Sequence, residues 1–360
     1  MLVEAAFFVL GLVALLAGAE GLVRGASGIA LSLGLSPLVV GLTIVAFGTS
    51  APEVAVSVGA VLHGANDIAI GNVVGSNIFN VLMILGTSAL IAPLVVHVQL
   101  IRQEVPIMIG ASLLLLVVML DGRLSHGDAA ILLTLLVVYT VMLVRQSRAQ
   151  TRETRETYAE AVEHPTRWDR HWAAQLLLIL GGLALLLVGA NWLVDSSVAF
   201  ARALGVSDLV VGLTIIAAGT SMPELATSIV AAIKGERDIA IGNVVGSNTF
   251  NILGCLGISG LVGSDGLAIS APVMNFDIWV MGAVALACLP VFVAGREIGR
   301  AKALLFLGYY VAYVAYLILD AHSHDVLPQF SAIMIGFVLP LTIVTLIAML
   351  MRHQQADRDG

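Results

Sequence analysis

GTSAPE at 48–53 and GTSMPE at 219–224 each place hydroxyls, a proline and a carboxylate inside otherwise apolar sequence. Proline has no amide hydrogen, so Pro52 and Pro223 leave the carbonyls of Gly48 and Gly219 without their helical donors. Each helix is expected to kink or open there. A freed carbonyl persists at membrane depth only if it faces protein, water or an ion. Carbonyl oxygens, hydroxyls and a carboxylate at one level are the hard-oxygen set that calcium and sodium take. GNVVGSNIFN at 71–80 and GNVVGSNTFN at 242–251 add amides to this inventory. Ser76 and Asn80, four residues apart, share a helical face with Asn77 one residue round, and Ser247, Asn251 and Asn248 repeat the arrangement. Gly71, Gly75, Gly242 and Gly246 form two small-xxx-small patterns that let helix backbones approach closely and bring the Ser/Asn face against the broken helix.

Singly these features are unremarkable. A Ser or Thr in a membrane helix often bonds its own preceding carbonyls, and a lone proline is often only a kink. Here they occur twice in a gapless register: the glutamates are Glu53 and Glu224, and 224 − 53 = 171. A charge at the bilayer midplane costs roughly 2.5–3.5 kcal/mol on insertion scales. Two converging carboxylates repel, and either a cation or a proton relieves that repulsion. Two carboxylates neutralise one Ca²⁺ or two monovalent ions. Competition of unlike cations for one such site, with the empty site discouraged from crossing, gives exchange rather than leak.

The elements that must carry these residues are membrane helices. The chain of 360 residues is 59% hydrophobic and only 11% charged, with a mean hydropathy of +1.00, whereas a soluble domain carries about 25% charged residues. Runs of about 20 apolar residues cross the hydrocarbon. Eleven are expected, near 2–23, 37–61, 68–92, 99–120, 128–145, 171–194, 208–232, 239–263, 274–294, 301–319 and 329–351. Residues 2–18 lack the basic region of a signal peptide and read as the first span. With the N-terminus outside, every Lys and Arg except Arg123 and Arg202 falls on the inner side, as the positive-inside rule requires. The copies then lie on spans two and seven. An odd number of crossings separates them, so they run in opposite senses, as in secondary transporters. The likeness between halves reaches back through GAEGLVRGA at 18–26 and GANWLVDSS at 189–197 and fades after the third and eighth spans.

The expected organisation is all-α and polytopic: a first repeat over 1–145, a cytoplasmic linker over 146–170, a second repeat over 171–320, and an extra span with a cytoplasmic tail over 321–360. Cys255 and Cys288 sit in apolar stretches and read as small buried hydrophobes. Nothing suggests nucleic acid. No GxSxG, HExxH or Asp pair lies in a span, so no enzyme is expected. A channel could use a ring of glutamates, but the inverted repeat favours alternating access. Ser125 and Thr134, outside the repeat, are expected to tolerate alanine.

At the two duplicated blocks the sequence resembles the calcium/cation antiporter superfamily, most of all its prokaryotic sodium/calcium exchangers. The resemblance implies two five-helix halves, with broken second and seventh helices packed against the third and eighth. The first and sixth helices slide across that core. It implies that Glu53 and Glu224 coordinate Ca²⁺ and Na⁺, and that the carbonyls of Ala46, Thr49, Ala217 and Thr220 add ligands. It implies the same for the side chains of Ser50, Ser76, Asn80, Ser221, Ser247 and Asn251. Three Na⁺ commonly exchange for one Ca²⁺ in the family. Many relatives carry Asp where this chain has Asn251, which argues against K⁺ co-transport. Proton/calcium exchangers usually carry a Glu where this chain has Gly75 and Gly246, which favours sodium over protons. The resemblance covers at most ten spans and leaves the eleventh unexplained. The expected function is Na⁺/Ca²⁺ antiport by a monomer in the lipid bilayer of the cell membrane, without a cofactor, its N-terminus outside and C-terminus cytoplasmic. H⁺/Ca²⁺ or K⁺-dependent Na⁺/Ca²⁺ antiport are the alternatives.

Overall fold

The computed structural model describes residues 2–149, 171–204, 215, 217–345 and 347. Most of the linker, 150–170, and the entry to the expected seventh span, 205–214, lie outside the described residues, as does the tail 348–360.

Helix α1 (Leu2–Leu33) is followed by a bent pair, α2 (Pro37–Thr49) and α3 (Ala51–Leu62). Then come α4 (Asn66–Ile91), α5 (Leu100–Val118), α6 (His126–Ala149) and α7 (Trp172–Ala203). The second half continues with the short α8 (Ala217–Gly219) and α9 (Met222–Ile233), then α10 (Arg237–Val262), α11 (Val273–Arg296) and α12 (Arg300–Ala321). A further apolar helix, α13 (Leu327–Thr345), closes the described chain and has no fully buried residue. Among the described residues nine helices are long and apolar enough to cross a membrane, or ten if the bent pair is one span.

Three helices run past the ends expected from the sequence. Helix α1 runs to Leu33 and α7 to Ala203, each 32 residues long and well beyond the roughly 20 a bilayer needs. Helix α6 continues to Ala149, past the expected start of the linker at 146.

Helices α10 and α4 form the centre. The apolar window of α10 is wholly buried, and that of α4 largely so. Glycine brings the first limb of the broken helix onto α10: a Cβ on Gly246 would lie 2.6 Å from the Leu42 carbonyl oxygen, and one on Gly242 would lie 3.0 Å from that of Leu38. The symmetry-equivalent partners of Gly71 and Gly75, at 209 and 213, fall outside the described residues. Helices α1 and α7 pack along one another as an antiparallel pair on the outside of this core.

The two halves remain matched beyond the point where their sequences part. Strand β1 (Leu94–Val95) pairs antiparallel with β4 (Glu297–Ile298), and β2 (Arg123–Leu124) pairs with β3 (Leu267–Ala268). Each ribbon therefore joins one half to the other. The offset has slipped, since 267 − 94 = 173. Helices α5 and α11 each open on a π-helical turn, Leu100–Glu104 and Val273–Asp277, ending in an acid. Tyr139 donates to Glu104 at 2.8 Å and Tyr313 donates to Asp277 at 2.9 Å.

Candidate cation site

The break expected at the prolines is present. Ser50 lies between α2 and α3 with φ −82° and ψ 6°, and the limbs differ in direction by 42°. Ser221 separates α8 from α9 with nearly the same backbone, φ −89° and ψ 8°. Pro52 and Pro223 each sit in the first turn of the second limb, where a missing amide hydrogen costs nothing. Glu53 and Glu224 follow in that same first turn, where the exposed amides of a helix start favour negative charge.

The halves exchange partners at this point. Ser221 Oγ donates to Glu53 Oε1 at 3.0 Å, and Ser50 Oγ donates to Glu224 Oε1 at 3.0 Å. Each carboxylate is thus held by the serine of the opposite broken helix. Glu53, Glu224, Ser50 and Ser221 are all completely buried. The second oxygen of each carboxylate, Oε2, is buried with no hydrogen-bond partner. Buried polar atoms are almost always satisfied, so two unsatisfied carboxylate oxygens at the crossing of two broken helices could hold a cation.

Three neutral oxygens on α4 and α10 share this property: Ser76 Oγ, Asn80 Oδ1 and Asn251 Oδ1 are buried and unpartnered. The amides are oriented by a reciprocal clasp between the halves. Asn80 Nδ2 donates to Asn248 Oδ1 at 3.0 Å and Asn251 Nδ2 donates to Asn77 Oδ1 at 3.2 Å. Asn77 and Asn248 in turn donate to one another's backbone carbonyls, at 3.4 and 3.2 Å. The donors of Asn80 and Asn251 face the clasp while their oxygens are left over. Both residues open π-helical turns, Asn80–Leu85 and Asn251–Cys255, a local widening common at functional sites.

The remaining expected residues are placed as follows. Ser247 Oγ reaches the Ala46 carbonyl at 3.5 Å, and the amide of Ser50 donates to that same carbonyl at 3.0 Å. Ala217 opens α8. Thr49 Oγ1 donates to Asn243 Oδ1 at 3.1 Å, and Thr220 Oγ1 to Asn72 Oδ1 at 3.2 Å. Asn72 and Asn243 were missed by the sequence reading, although each is the first asparagine of a duplicated GNVVGSN block. No group of three or more His, Cys, Asp or Glu occurs among the described residues. What the fold offers a cation at this crossing is two carboxylates and neutral oxygens, the donor set of a hard ion. Cys255 and Cys288 are both buried and unpaired.

Residues 3–145 and 174–319 match the family model described as sodium/calcium exchanger protein. The chain is 33% identical over 339 residues to the sodium/calcium exchanger MaX1 of Methanosarcina acetivorans, covering 86% of this chain and 96% of that one. It is 36% identical over 324 residues to the inner membrane protein YrbG of Escherichia coli, covering 88% and 97%. Among solved structures, the sodium-calcium exchanger NCX_Mj aligns with a TM-score of 0.74 at 32% identity, over 88% of this chain and 99% of that one.

Proposed function

Because the chain belongs to the sodium/calcium exchanger protein family, we propose that it exchanges Na⁺ for Ca²⁺ at the crossing of its two broken helices. That it is a multi-pass membrane antiporter of the cation/calcium type, and not an enzyme, follows from the family. The residues and the coupling ion are our reading. The observation that carries it is the pair of buried, half-satisfied carboxylates, each held by a serine of the other half. In this reading Glu53 and Glu224 neutralise one Ca²⁺. Ser76, Asn80, Asn251 and Ser247, the hydroxyls of Ser50 and Ser221, and the carbonyls of Ala46, Thr49, Ala217 and Thr220 supply further oxygens. Sodium ions compete for the same oxygens, and an empty site with two unneutralised carboxylates is costly to carry across. The halves 1–145 and 171–320 each contribute one glutamate. The chain acts as a monomer in the cell membrane with its N-terminus outside.

Access to the site is unequal on the two sides. Helix α1 packs on α9, and among the described residues no comparable contact reaches α3. Accordingly Ala226 and Thr227 on α9 are buried, while their counterparts at the same offset on α3, Ala55 and Val56, are exposed. With the N-terminus outside, α3 is the outer limb of the second span, so this state opens outward and is sealed inward.

One ion pair favours that state. Lys234, at the end of α9, meets Glu20 of α1 at 2.9 Å. The corresponding residues on the other side, Asn191 and His63, give no such carboxylate–ammonium pair. An exposed pair is worth about 0.2–1 kcal/mol, so Glu20→Gln is expected to shift the population inward by up to about fivefold. Labelling by a thiol reagent should rise at Ala226→Cys and fall at Ala55→Cys. Unchanged labelling at both would show that the pair does not bias the transition.

The direct test of the function is calcium flux in proteoliposomes under Na⁺, K⁺ and H⁺ gradients imposed one at a time. Uptake driven by an outward Na⁺ gradient is the expected result. Uptake driven by a pH gradient in sodium-free vesicles would replace sodium by protons as the coupling ion.

A further inference from the structure

Resting on the reading of Glu53 and Glu224 as ion ligands, we propose that Asn72 and Asn243 are positioning residues that lock the two broken helices in register and so set the size of the site. Asn72, on α4, uses its whole amide. Its Nδ2 donates to the backbone carbonyl of Glu53 at 3.3 Å and to Ser57 Oγ at 3.0 Å, and its Oδ1 accepts from Thr220 Oγ1 at 3.2 Å. Asn243, on α10, repeats this with the Glu224 carbonyl at 3.3 Å, Ser228 Oγ at 2.9 Å and Thr49 Oγ1 at 3.1 Å.

The consequence lies in the neighbour of each threonine. Thr220 is bonded to Ser221, whose hydroxyl holds the Glu53 carboxylate. Asn72, Glu53, Ser221 and Thr220 therefore close a ring that passes from one half of the molecule to the other and back. Asn243, Glu224, Ser50 and Thr49 close its counterpart. The carboxylate end of each glutamate is fixed by one side of its ring and the backbone end by the other. A ligand set that must discriminate ions by size has to be held to about 0.5 Å, and two rings spanning both halves supply that constraint where the helices themselves are interrupted. The rings differ in exposure: Thr49 and Asn243 are completely buried, whereas Thr220 and Asn72 are only half-buried, on the side left uncovered by α1. Removing a residue that orients a ligand typically lowers metal affinity about 10–100-fold without abolishing the site.

The test is a double-mutant cycle on the half-buried ring, read as KM and kcat for calcium in proteoliposomes and as the ratio of calcium to barium transport. Asn72→Ala and Thr220→Val are each expected to raise KM for calcium about tenfold and to erode discrimination against the larger barium ion. The double variant should be little worse than either single one, because both cut the same ring. Thr220→Ser, which keeps the hydroxyl, should recover most of the loss. Should Asn72→Ala fail to fold, the comparison of Thr220→Val with Thr220→Ser decides alone. Additive losses, or a fall in kcat with KM and ion preference unchanged, would overturn the proposal. Glu53→Gln serves as the control. If that variant transports calcium normally, the ligand reading has failed. If it is inactive while the cycle is additive, only the role of the rings has failed.

Discussion

Glu53→Gln is expected to abolish calcium exchange, and Glu224→Gln to do the same. The substitution changes almost nothing in volume, and the amide oxygen can still accept the hydroxyl of Ser221 or Ser50, each now at 3.0 Å from its carboxylate. What it removes is one of two negative charges in a buried site where no cationic side chain bonds either acid among the described residues. Depriving a buried charge of its partner costs about 3–5 kcal/mol, equivalent to about two to nearly four orders of magnitude in affinity. The remaining carboxylate would leave a bound Ca²⁺ with an uncompensated positive charge. Uptake of radiolabelled calcium against a sodium gradient should therefore fall to the level of protein-free vesicles in both variants, while their thermal midpoints in detergent stay near that of the unaltered protein. Sodium counterflow surviving in a variant that has lost calcium flux would mean that the two ions do not share this pair of acids. Both fluxes surviving would mean that the acids are structural.

Much of this centre was legible in the sequence because the chain states it twice. A glutamate after a proline in an apolar span is ambiguous once; repeated at a fixed offset of 171 it points to a two-fold site. The breaks at Ser50 and Ser221 follow from Pro52 and Pro223 alone. The partner exchange does not. Nothing in GTSAPE says that Ser50 will serve Glu224 rather than Glu53, because that depends on how the two limbs cross. Asn72 and Asn243 were hidden for a related reason. They lie on the same face as Ser76 and Asn80 and as Ser247 and Asn251, one turn earlier, but their partners are a backbone carbonyl and a serine of the same half and a threonine of the distant half. The later part of the repeat escaped because the register slips from 171 to 173, which separates Glu104 from its counterpart Asp277 by a change of residue type as well as of offset. Ser125, expected to be dispensable, bonds Asp128 Oδ2 through its hydroxyl at 2.6 Å and accepts from the Asp128 amide at 3.2 Å. It closes the start of α6, and its replacement by alanine should cost on the order of 1 kcal/mol.

Gly18→Leu and Gly182→Leu are expected to destroy transport from outside the ion site. Helices α1 and α7 meet through glycine: Gly11 faces Gly189, Gly18 faces Gly182, and Gly25 faces the backbone of Gln175. A Cβ on Gly18 would lie 2.7 Å from the carbonyl oxygen of Gly182, and one on Gly182 would lie 2.7 Å from that of Gly18. These contacts are with backbone, so no side-chain rearrangement relieves them and the helices must separate. Between helices in lipid there is no hydrophobic drive to offset the gap, and association rests on close packing. Overpacking of this kind costs about 1–3 kcal/mol even where neighbours can adjust, and here the neighbour is a main chain. The pair also has to bridge both halves, since α1 lies on α9 while α7 touches α8 and the end of α2. Separating the helices therefore disturbs the cover of the site and not only the stability of the pair. Gly181→Leu is the matched control, because a Cβ at Gly181 meets nothing within 4 Å. Exchange should fall at least tenfold, with a lowered thermal midpoint, for Gly18→Leu and Gly182→Leu, and remain near normal for Gly181→Leu. Equal behaviour of Gly181→Leu and Gly182→Leu would show that α1 and α7 are not held at this distance.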